Sequence, residues 1–139
     1  MSKSKNIPHA QVDTCLCGSL KAYAQCCLPY IQGDCVAPDV EALMRSRYVA
    51  YVLRNEAYLL KTWYAKTRPD YVLDEDSMHV KWLGLRVLAY QQEGADSASV
   101  EFIARYKYMG RACSLHEKSR FFYEAGQWFY VDGTFPASS

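Results

Sequence analysis

The sequence has almost no net charge, because sixteen Lys and Arg residues are matched by fifteen Asp and Glu residues. A balance of +1 at pH 7 provides no general attraction for nucleic acid or for an anionic membrane surface. The sequence also lacks any apolar run of about eighteen residues, the length that a membrane-spanning helix requires. We therefore expect neither nucleic acid as a partner nor a membrane span.

A secretory signal is missing too, because no apolar core follows the two lysines in the first thirteen residues. We expect a cytoplasmic protein, and in that compartment thiols stay reduced, so the six cysteines need an explanation other than disulfides. We find no Ser-His-Asp order, no glycine-rich phosphate loop and no second metal cluster. These absences favour a protein that is not an enzyme.

What the sequence does contain is enough apolar material for one packed domain. Its 139 residues are 50% apolar and 14% aromatic, which suits a single core and argues against general disorder. Composition divides the chain into a polar, flexible segment 1–13, a cysteine-rich segment 14–35 and a larger domain 36–139.

The larger domain changes from a helical to a strand pattern along its length. Apolar residues at helical spacing predict a helix from Pro38 to about Asn55, with Asp39 in its first turn, and a second helix over 56–66. Alternating residues then predict four strands, at 82–90, 99–109, 112–123 and 127–135, separated by glycine-containing hairpin turns. This order predicts an α+β fold with helices on one face of a curved four-stranded antiparallel sheet.

Four of the cysteines form the most informative pattern. Cys15 and Cys17 are followed by Gly18, and eight residues later come Cys26 and Cys27. Four thiolates are the ligand set of a structural zinc site, and the intervening six residues 20–25 are long enough for about one and a half helical turns. We expect all four to bind Zn²⁺. Cys35 and Cys113 lie outside the pattern and are expected to be small, buried apolar residues, although Cys35 could compete for the metal.

Other interpretations of the cysteines remain open. Disulfides are less consistent with the expected compartment. A redox pair is less consistent with the spacing, which lacks the usual C-x-x-C pattern. Simple core packing is less consistent with four cysteines in thirteen residues. Iron competes with zinc for the same four thiolates.

The cysteine run resembles the SEC-C motif, a short zinc-binding module found at the C-terminus of the protein-translocation ATPase SecA. The usual form has glycine where this chain has Leu20. The resemblance implies that the four cysteines bind zinc and that the module docks onto other proteins, as it does onto a SecB-type chaperone.

Four further segments resemble the YchJ-like family, in which a SEC-C motif accompanies a domain similar to nuclear transport factor 2. The segments are LMRSRY at 43–48, KTW at 61–63, HEKSRF at 116–121 and WFYVDG at 128–133. The resemblance extends from Cys15 to Gly133. It implies a cone-like sheet wrapped by helices, with an interior pocket, and it implies no reaction.

Two charged residues of this domain are expected to lie inside it. Arg47 edges the apolar stripe of the first helix, and Glu117 shares a strand face with apolar residues. Because a buried charge requires a partner, we predict an ion pair between Arg47 and Glu117. His116, on the opposite strand face, is expected to be exposed.

The aromatic residues, including Trp63, Trp82 and Trp128, are candidates for lining a pocket, although alternating aromatics more often form core. Two functions remain in competition. The first is a zinc-binding accessory protein that docks onto translocation, chaperone or ribosome-associated machinery. The second is a small-molecule-binding or enzymatic cone domain with an aromatic pocket, which would use Glu117 or His116 as an acid or base.

Overall fold

A computed structural model describes residues 14–136 of the chain. The segment 1–13, which we expected to be flexible, lies outside the described residues. Three helices precede four strands, as the α+β prediction requires, and two short 3-10 turns span Tyr23–Gln25 and Asp76–His79. The helices are α1 (Leu28–Gln32), α2 (Val40–Val52) and α3 (Glu56–Lys61), and the strands are β1 (Val80–Gln92), β2 (Ser97–Tyr108), β3 (Arg111–Glu124) and β4 (Gln127–Thr134).

Helix α2 begins at Val40, two residues after the predicted start at Pro38, and Asp39 is its N-cap rather than a residue of its first turn. The side chain of Asp39 accepts a hydrogen bond of 2.8 Å from the backbone N–H of Ala42, which caps the first turn. Asn55 caps α3 in the same way, accepting from Tyr58 at 3.0 Å. Most of the predicted apolar stripe of α2 is buried against the sheet. None of the helices in the described part of the chain is both long enough and apolar enough to span a membrane.

Helix α3 ends at Lys61, five residues before the predicted limit of 66. The reason is that the chain leaves the helix to pair with the outer edge of β4. The N–H of Tyr130 donates to Thr62 O at 2.9 Å, and the N–H of Tyr64 donates to Tyr130 O at 2.7 Å. This short parallel pairing protects the β4 edge from solvent and from other chains.

The four strands form an antiparallel meander in the order β1-β2-β3-β4. Met109 and Gly110, at φ 50° and 86°, form the turn between β2 and β3, and Ala125 and Gly126, at 55° and 85°, form the turn between β3 and β4. Two successive positive φ values are typical of the two-residue turn whose twist suits a hairpin. Strand β1 has two register irregularities, near Leu83 and Leu88, and such bulges bend a sheet.

One hydrophobic core joins the helices, the sheet and the cysteine segment. The concave face of the sheet contributes residues such as Phe102 and Phe121, and α2 packs across them. Cys15, Cys17 and Cys27 are at most 3% exposed and belong to the same cluster. The cysteine segment 14–35 is therefore packed into the core of the larger domain.

Candidate metal centre

The first cysteine pair lies in a tight turn that closes on itself. The N–H of Cys15 donates to Lys21 O at 2.8 Å, and the N–H of Gly18 donates to Cys15 O at 3.3 Å. Gly18 has a φ of 86°, and a Cβ built on it would lie 3.3 Å from the carbonyl oxygen of Leu85 in β1. Glycine is thus required here both for its backbone conformation and for the close approach of the turn to the sheet.

Leu20 follows in a conformation that non-glycine residues rarely adopt. Its φ is 71°, and its side chain is 86% exposed. A left-handed conformation costs an L-residue about 1–2 kcal/mol, and this position gains little packing in return. The glycine that the SEC-C motif usually has at this position therefore has a structural explanation.

The second cysteine pair is presented by a 3-10 turn followed by α1. The turn covers only Tyr23–Gln25, and the N–H of Cys26 donates to Tyr23 O at 3.0 Å. The expectation of about one and a half helical turns over 20–25 was wrong. Ser19 Oγ accepts from the backbone N–H of Lys21, and the left-handed Leu20 follows Ser19, so the chain cannot begin a helix until Tyr23.

The four sulfur atoms converge on one point. All four lie within 4.8 Å of one another, with Cys17 and Cys26 separated by 3.6 Å and Cys26 and Cys27 by 3.9 Å. A tetrahedron with metal–sulfur bonds of about 2.3 Å has sulfur–sulfur edges of about 3.8 Å. The four cysteines together could therefore hold a metal ion of that size.

The thiols also influence one another's protonation. Hydrogen bonds from Cys15 and Cys27 hold the pKa of Cys17 below its usual value. The contact with Cys17 raises the pKa of Cys15 to about 11. Contacts with Cys15 and Cys17, together with burial, raise the pKa of Cys27. All four thiols must lose their protons when a metal binds, so the affinity of the centre for a metal depends on pH.

Groups outside the cluster hold it in place. Ser19 Oγ lies 3.1 Å from Cys26 Sγ, and Arg45 of α2 donates from Nη1 to Cys17 O at 2.7 Å. Arg45 is itself oriented by Glu41, with a distance of 3.0 Å between Nε and Oε2. The cysteine turn is therefore fastened to α2 by a charge-assisted hydrogen bond.

The two remaining cysteines lie apart from the centre, as their position outside the motif predicted. The expected burial was wrong for Cys35, which is exposed because it follows the end of α1, and Cys113 is partly buried on β3. Neither belongs to the cluster of four in the described part of the chain.

A second feature is an interior cavity of about 150 Å³ between α2 and the concave face of the sheet. Every strand contributes to its wall, and the lining residues are Met44, Arg47, Tyr48, Tyr51, Trp82, Phe102, Ala104, Leu115, Glu117, Ser119 and Tyr130. We call it the cone cavity. Its position between the helix and the sheet agrees with the interior pocket that the family resemblance implied.

Arg47 and Glu117 are both buried at the wall of the cone cavity, at 3% and 7% exposure, but they do not form the predicted ion pair. No ion pair within 4.0 Å joins them in the part of the chain that the structure describes. Arg47 instead donates from Nη1 to Leu59 O at 2.8 Å and to Thr62 Oγ1 at 2.7 Å. Its guanidinium also lies over the ring of Tyr130, 4.5 Å from the centroid, which occupies the place expected for the carboxylate.

The other predicted residues are distributed over three places. Trp82 lines the cone cavity, whereas Trp63 lies behind Arg47, with its ring centroid 5.1 Å from the guanidinium carbon. Trp128 packs against Tyr123, with ring centroids 5.1 Å apart, and lines a separate small groove. His116 is half-buried on the outer sheet face and lies 2.7 Å from Glu101, so it does not face the cavity.

Sequence reasoning missed two residues that contact Glu117. Ser119 Oγ donates to Glu117 Oε2 at 2.7 Å, and Tyr130 OH donates to the same oxygen at 2.9 Å. Ser119 could have been found by strand alternation, since it is two residues from Glu117. Tyr130 could not, because an irregularity in the pairing of β3 with β4 shifts it opposite Phe121.

Comparisons with known proteins agree with this architecture. Residues 39–133 match the family model described as the middle NTF2-like domain of YchJ, and residues 13–29 match the SEC-C motif. A solution structure of a SEC-C motif containing protein from Rhodopseudomonas palustris is similar, with a TM-score of 0.79 and 36% identity, covering 89% of this chain and 99% of that one. A crystal structure of a SEC-C motif containing protein from Psychrobacter arcticus has a TM-score of 0.75 and 29% identity, covering 92% and 85%.

Curated relatives extend the match over most of the chain. A UPF0225 protein of Bordetella parapertussis is 48% identical over 128 residues, which cover 91% of this chain and 96% of the relative. A UPF0225 protein of Methylibium petroleiphilum is also 48% identical, over 119 residues and 86% of each chain. With its cysteine centre and its cone-like domain both matched, this chain belongs to the YchJ-like, UPF0225 family of SEC-C motif proteins.

Proposed function

We propose that this protein is a cytoplasmic, zinc-binding accessory protein that docks onto another protein through its cysteine segment 14–35. The observation that carries the proposal is the convergence of four sulfurs within 4.8 Å on a turn that is fixed to the core. Four converging cysteine sulfurs suit Zn²⁺ better than the oxygen-preferring divalent ions, with iron as the competitor.

The cysteine turn suits docking because its cysteines pack into the core while its leucine side chains are exposed to solvent. Leu16 is 50% exposed and Leu20 is 86% exposed, and both are carried by the turn that the metal closes. Next to it, a groove of about 400 Å³ is lined by Cys26, Lys21, Tyr30 and other residues of the segment and of α2. An ordered surface loses little conformational entropy when a partner binds, which favours recognition.

The match to the SEC-C motif bears on the choice of partner. The SEC-C motif of SecA docks onto a chaperone of the SecB type, and the present segment shares its cysteine spacing. Translocation, chaperone or ribosome-associated machinery is therefore the class of partner that we propose.

The test is quantitative affinity capture with the full-length, zinc-loaded chain. Leu20→Asn removes an exposed apolar side chain while keeping a residue that tolerates positive φ. Met78→Asn is the matched control, because Met78 is 71% exposed and lies in the distant turn Asp76–His79. We expect a specific partner to be lost with Leu20→Asn and on zinc removal, and to be retained with Met78→Asn. Equal capture by both variants would remove the support for docking through this segment.

A further inference from the structure

The cone cavity contains a buried carboxylate that no cation contacts directly. Glu117 is 7% exposed, and among the described residues no Lys, Arg or His lies within 4.0 Å of its oxygens. Burying an unpaired charge is costly, so this arrangement requires a compensating interaction. The cavity that the carboxylate lines is the place where such an interaction can occur.

The hydrogen bonds of Glu117 leave one oxygen available. In the described part of the chain, both donors, Ser119 Oγ and Tyr130 OH, bond to Oε2. Burial, followed by the charge of Glu117, raises the pKa of Tyr130, so its hydroxyl remains a donor at neutral pH. Gly133 of β4 lies so close that a Cβ there would collide with the carboxylate. The side chain is thus held in position, with Oε1 left to accept from a bound molecule.

Arg47, the cation on the cavity wall, is already stabilised on its other side. Its Nη1 donates to Leu59 O and Thr62 Oγ1, and its guanidinium lies over the rings of Trp63 and Tyr130, 5.1 and 4.5 Å from their centroids. These contacts replace much of its lost hydration. Burial still lowers the pKa of Arg47, and the negative charge of Glu117 opposes that effect without direct contact.

A groove next to the cavity carries two carboxylates. An open groove of about 400 Å³ adjoins the cone cavity, since Trp82 and Leu115 line both. Two further lining residues of this groove are Asp74 and Asp76, both exposed. None of the ion pairs found among the described residues includes either aspartate. Carboxylates raise the local concentration of cations, and here the guanidinium of Arg54, which donates to Ser77 O at 3.1 Å, offsets part of that effect.

We propose that the cone cavity binds a small primary amine, in its ammonium form, whose apolar body is about the size of one ring. The ammonium donates to Glu117 Oε1, and the body lies among the aromatic rings of Tyr48, Trp82 and Phe102. The cavity volume of about 150 Å³ equals that of an engineered protein cavity that binds benzene. The apolar body of the amine is therefore limited to about one ring. Aromatic walls also attract cations through their ring faces.

The proposal is tested with three ring probes of nearly equal size on the zinc-loaded, full-length protein. Benzylamine is cationic at pH 7, benzyl alcohol is neutral, and benzoate is anionic. Binding is followed by NMR titration of the indole N–H of Trp82. We expect benzylamine to bind at least tenfold more tightly than benzyl alcohol and benzoate not to bind. Equal affinity for the alcohol, or preference for benzoate, would overturn the proposal without any variant being needed.

Two variants locate the site. Glu117→Gln keeps the shape and the acceptor oxygen but removes the charge, and we expect it to weaken benzylamine binding at least tenfold. Glu101→Gln is the control, because Glu101 lies on the outer sheet face beside His116. Ala104→Val fills part of the cavity while keeping Glu117, and it should exclude the ring. Unchanged benzylamine binding in either cavity variant would place the ligand elsewhere and refute the assignment.

Discussion

The packing of the cysteine centre into the main core predicts that metal removal destabilises the entire protein. Cys26 is the best position for the perturbation because it is the half-buried member of the four. Serine at this position removes a metal ligand without leaving a large void in the core. Cys35→Ser, at an exposed cysteine outside the centre, is the matched control.

The magnitude follows from ligand linkage. A metal present at about a thousand times its dissociation constant stabilises the folded state by about 4 kcal/mol. For a domain of this size, the loss of that contribution lowers the melting temperature by roughly 10–20 °C. The loss extends to the sheet because Cys15, Cys17 and Cys27 pack in the same cluster as Phe102.

The assay combines metal analysis with thermal unfolding followed by the fluorescence of tryptophan, including Trp82 of β1. We expect one zinc per chain in the parent and in Cys35→Ser, and weakened zinc binding with a single, lowered transition in Cys26→Ser. A zinc-free Cys26→Ser protein whose sheet melts at the parental temperature would refute the coupling. In that case the metal would order only the N-terminal segment.

Three further predictions concern single positions. Leu20→Gly should raise the free energy of unfolding by about 1 kcal/mol, because glycine adopts a φ of 71° without strain. Urea denaturation measures this change, and an unchanged or lower free energy of unfolding would contradict the strain at Leu20. Gly133→Ala should lower that free energy by about 1–3 kcal/mol, because its Cβ would meet the carboxylate of Glu117, and a second substitution, Glu117→Ala, should restore part of the loss. Arg120 bonds Asp132 through two 2.7 Å contacts and lowers its pKa, so the pair should stabilise the fold above the unfolded pKa of about 3.9 and lose this effect as pH falls through the lower folded pKa. Because both side chains are about half exposed, the effect should be below about 1 kcal/mol, and Asp132→Asn should remove it from the pH dependence of unfolding.

Much of the fold could be predicted because the sequence signals act over short distances. The acidic Asp39 at the start of α2, the spacing of the apolar stripe of α2 and the glycines in the β2–β3 and β3–β4 turns are each signals that span about four residues. The cysteine centre could be predicted for the same reason, since its four ligands lie within thirteen residues. The end of α3 could not, because it depends on Thr62 pairing with Tyr130, which is distant in sequence.

The error over Arg47 and Glu117 shows what a pattern of burial does not determine. Their positions on an apolar stripe and on a strand face indicated correctly that both side chains are buried. Burial also indicated that each charge needs a partner, but it did not say which one. A pairing irregularity between β3 and β4 places Tyr130 where it contacts both residues, its ring under the guanidinium and its hydroxyl on the carboxylate.

The two proposed sites depend on different parts of the molecule, although they share one core. Docking depends on the outer face of the cysteine turn, where Leu16 and Leu20 are exposed, whereas amine binding depends on Glu117 at the opposite side of α2. Arg45 and Arg47 lie two positions apart on this helix, one bonded to Cys17 O and the other lining the cone cavity. A helix held at both faces transmits a displacement from one to the other only if it moves as a rigid body. If α2 does move in this way, benzylamine binding should shift the NMR signal of the Arg45 side chain in the parent protein but not in Glu117→Gln. An unshifted Arg45 signal at saturation would show that the two sites act independently.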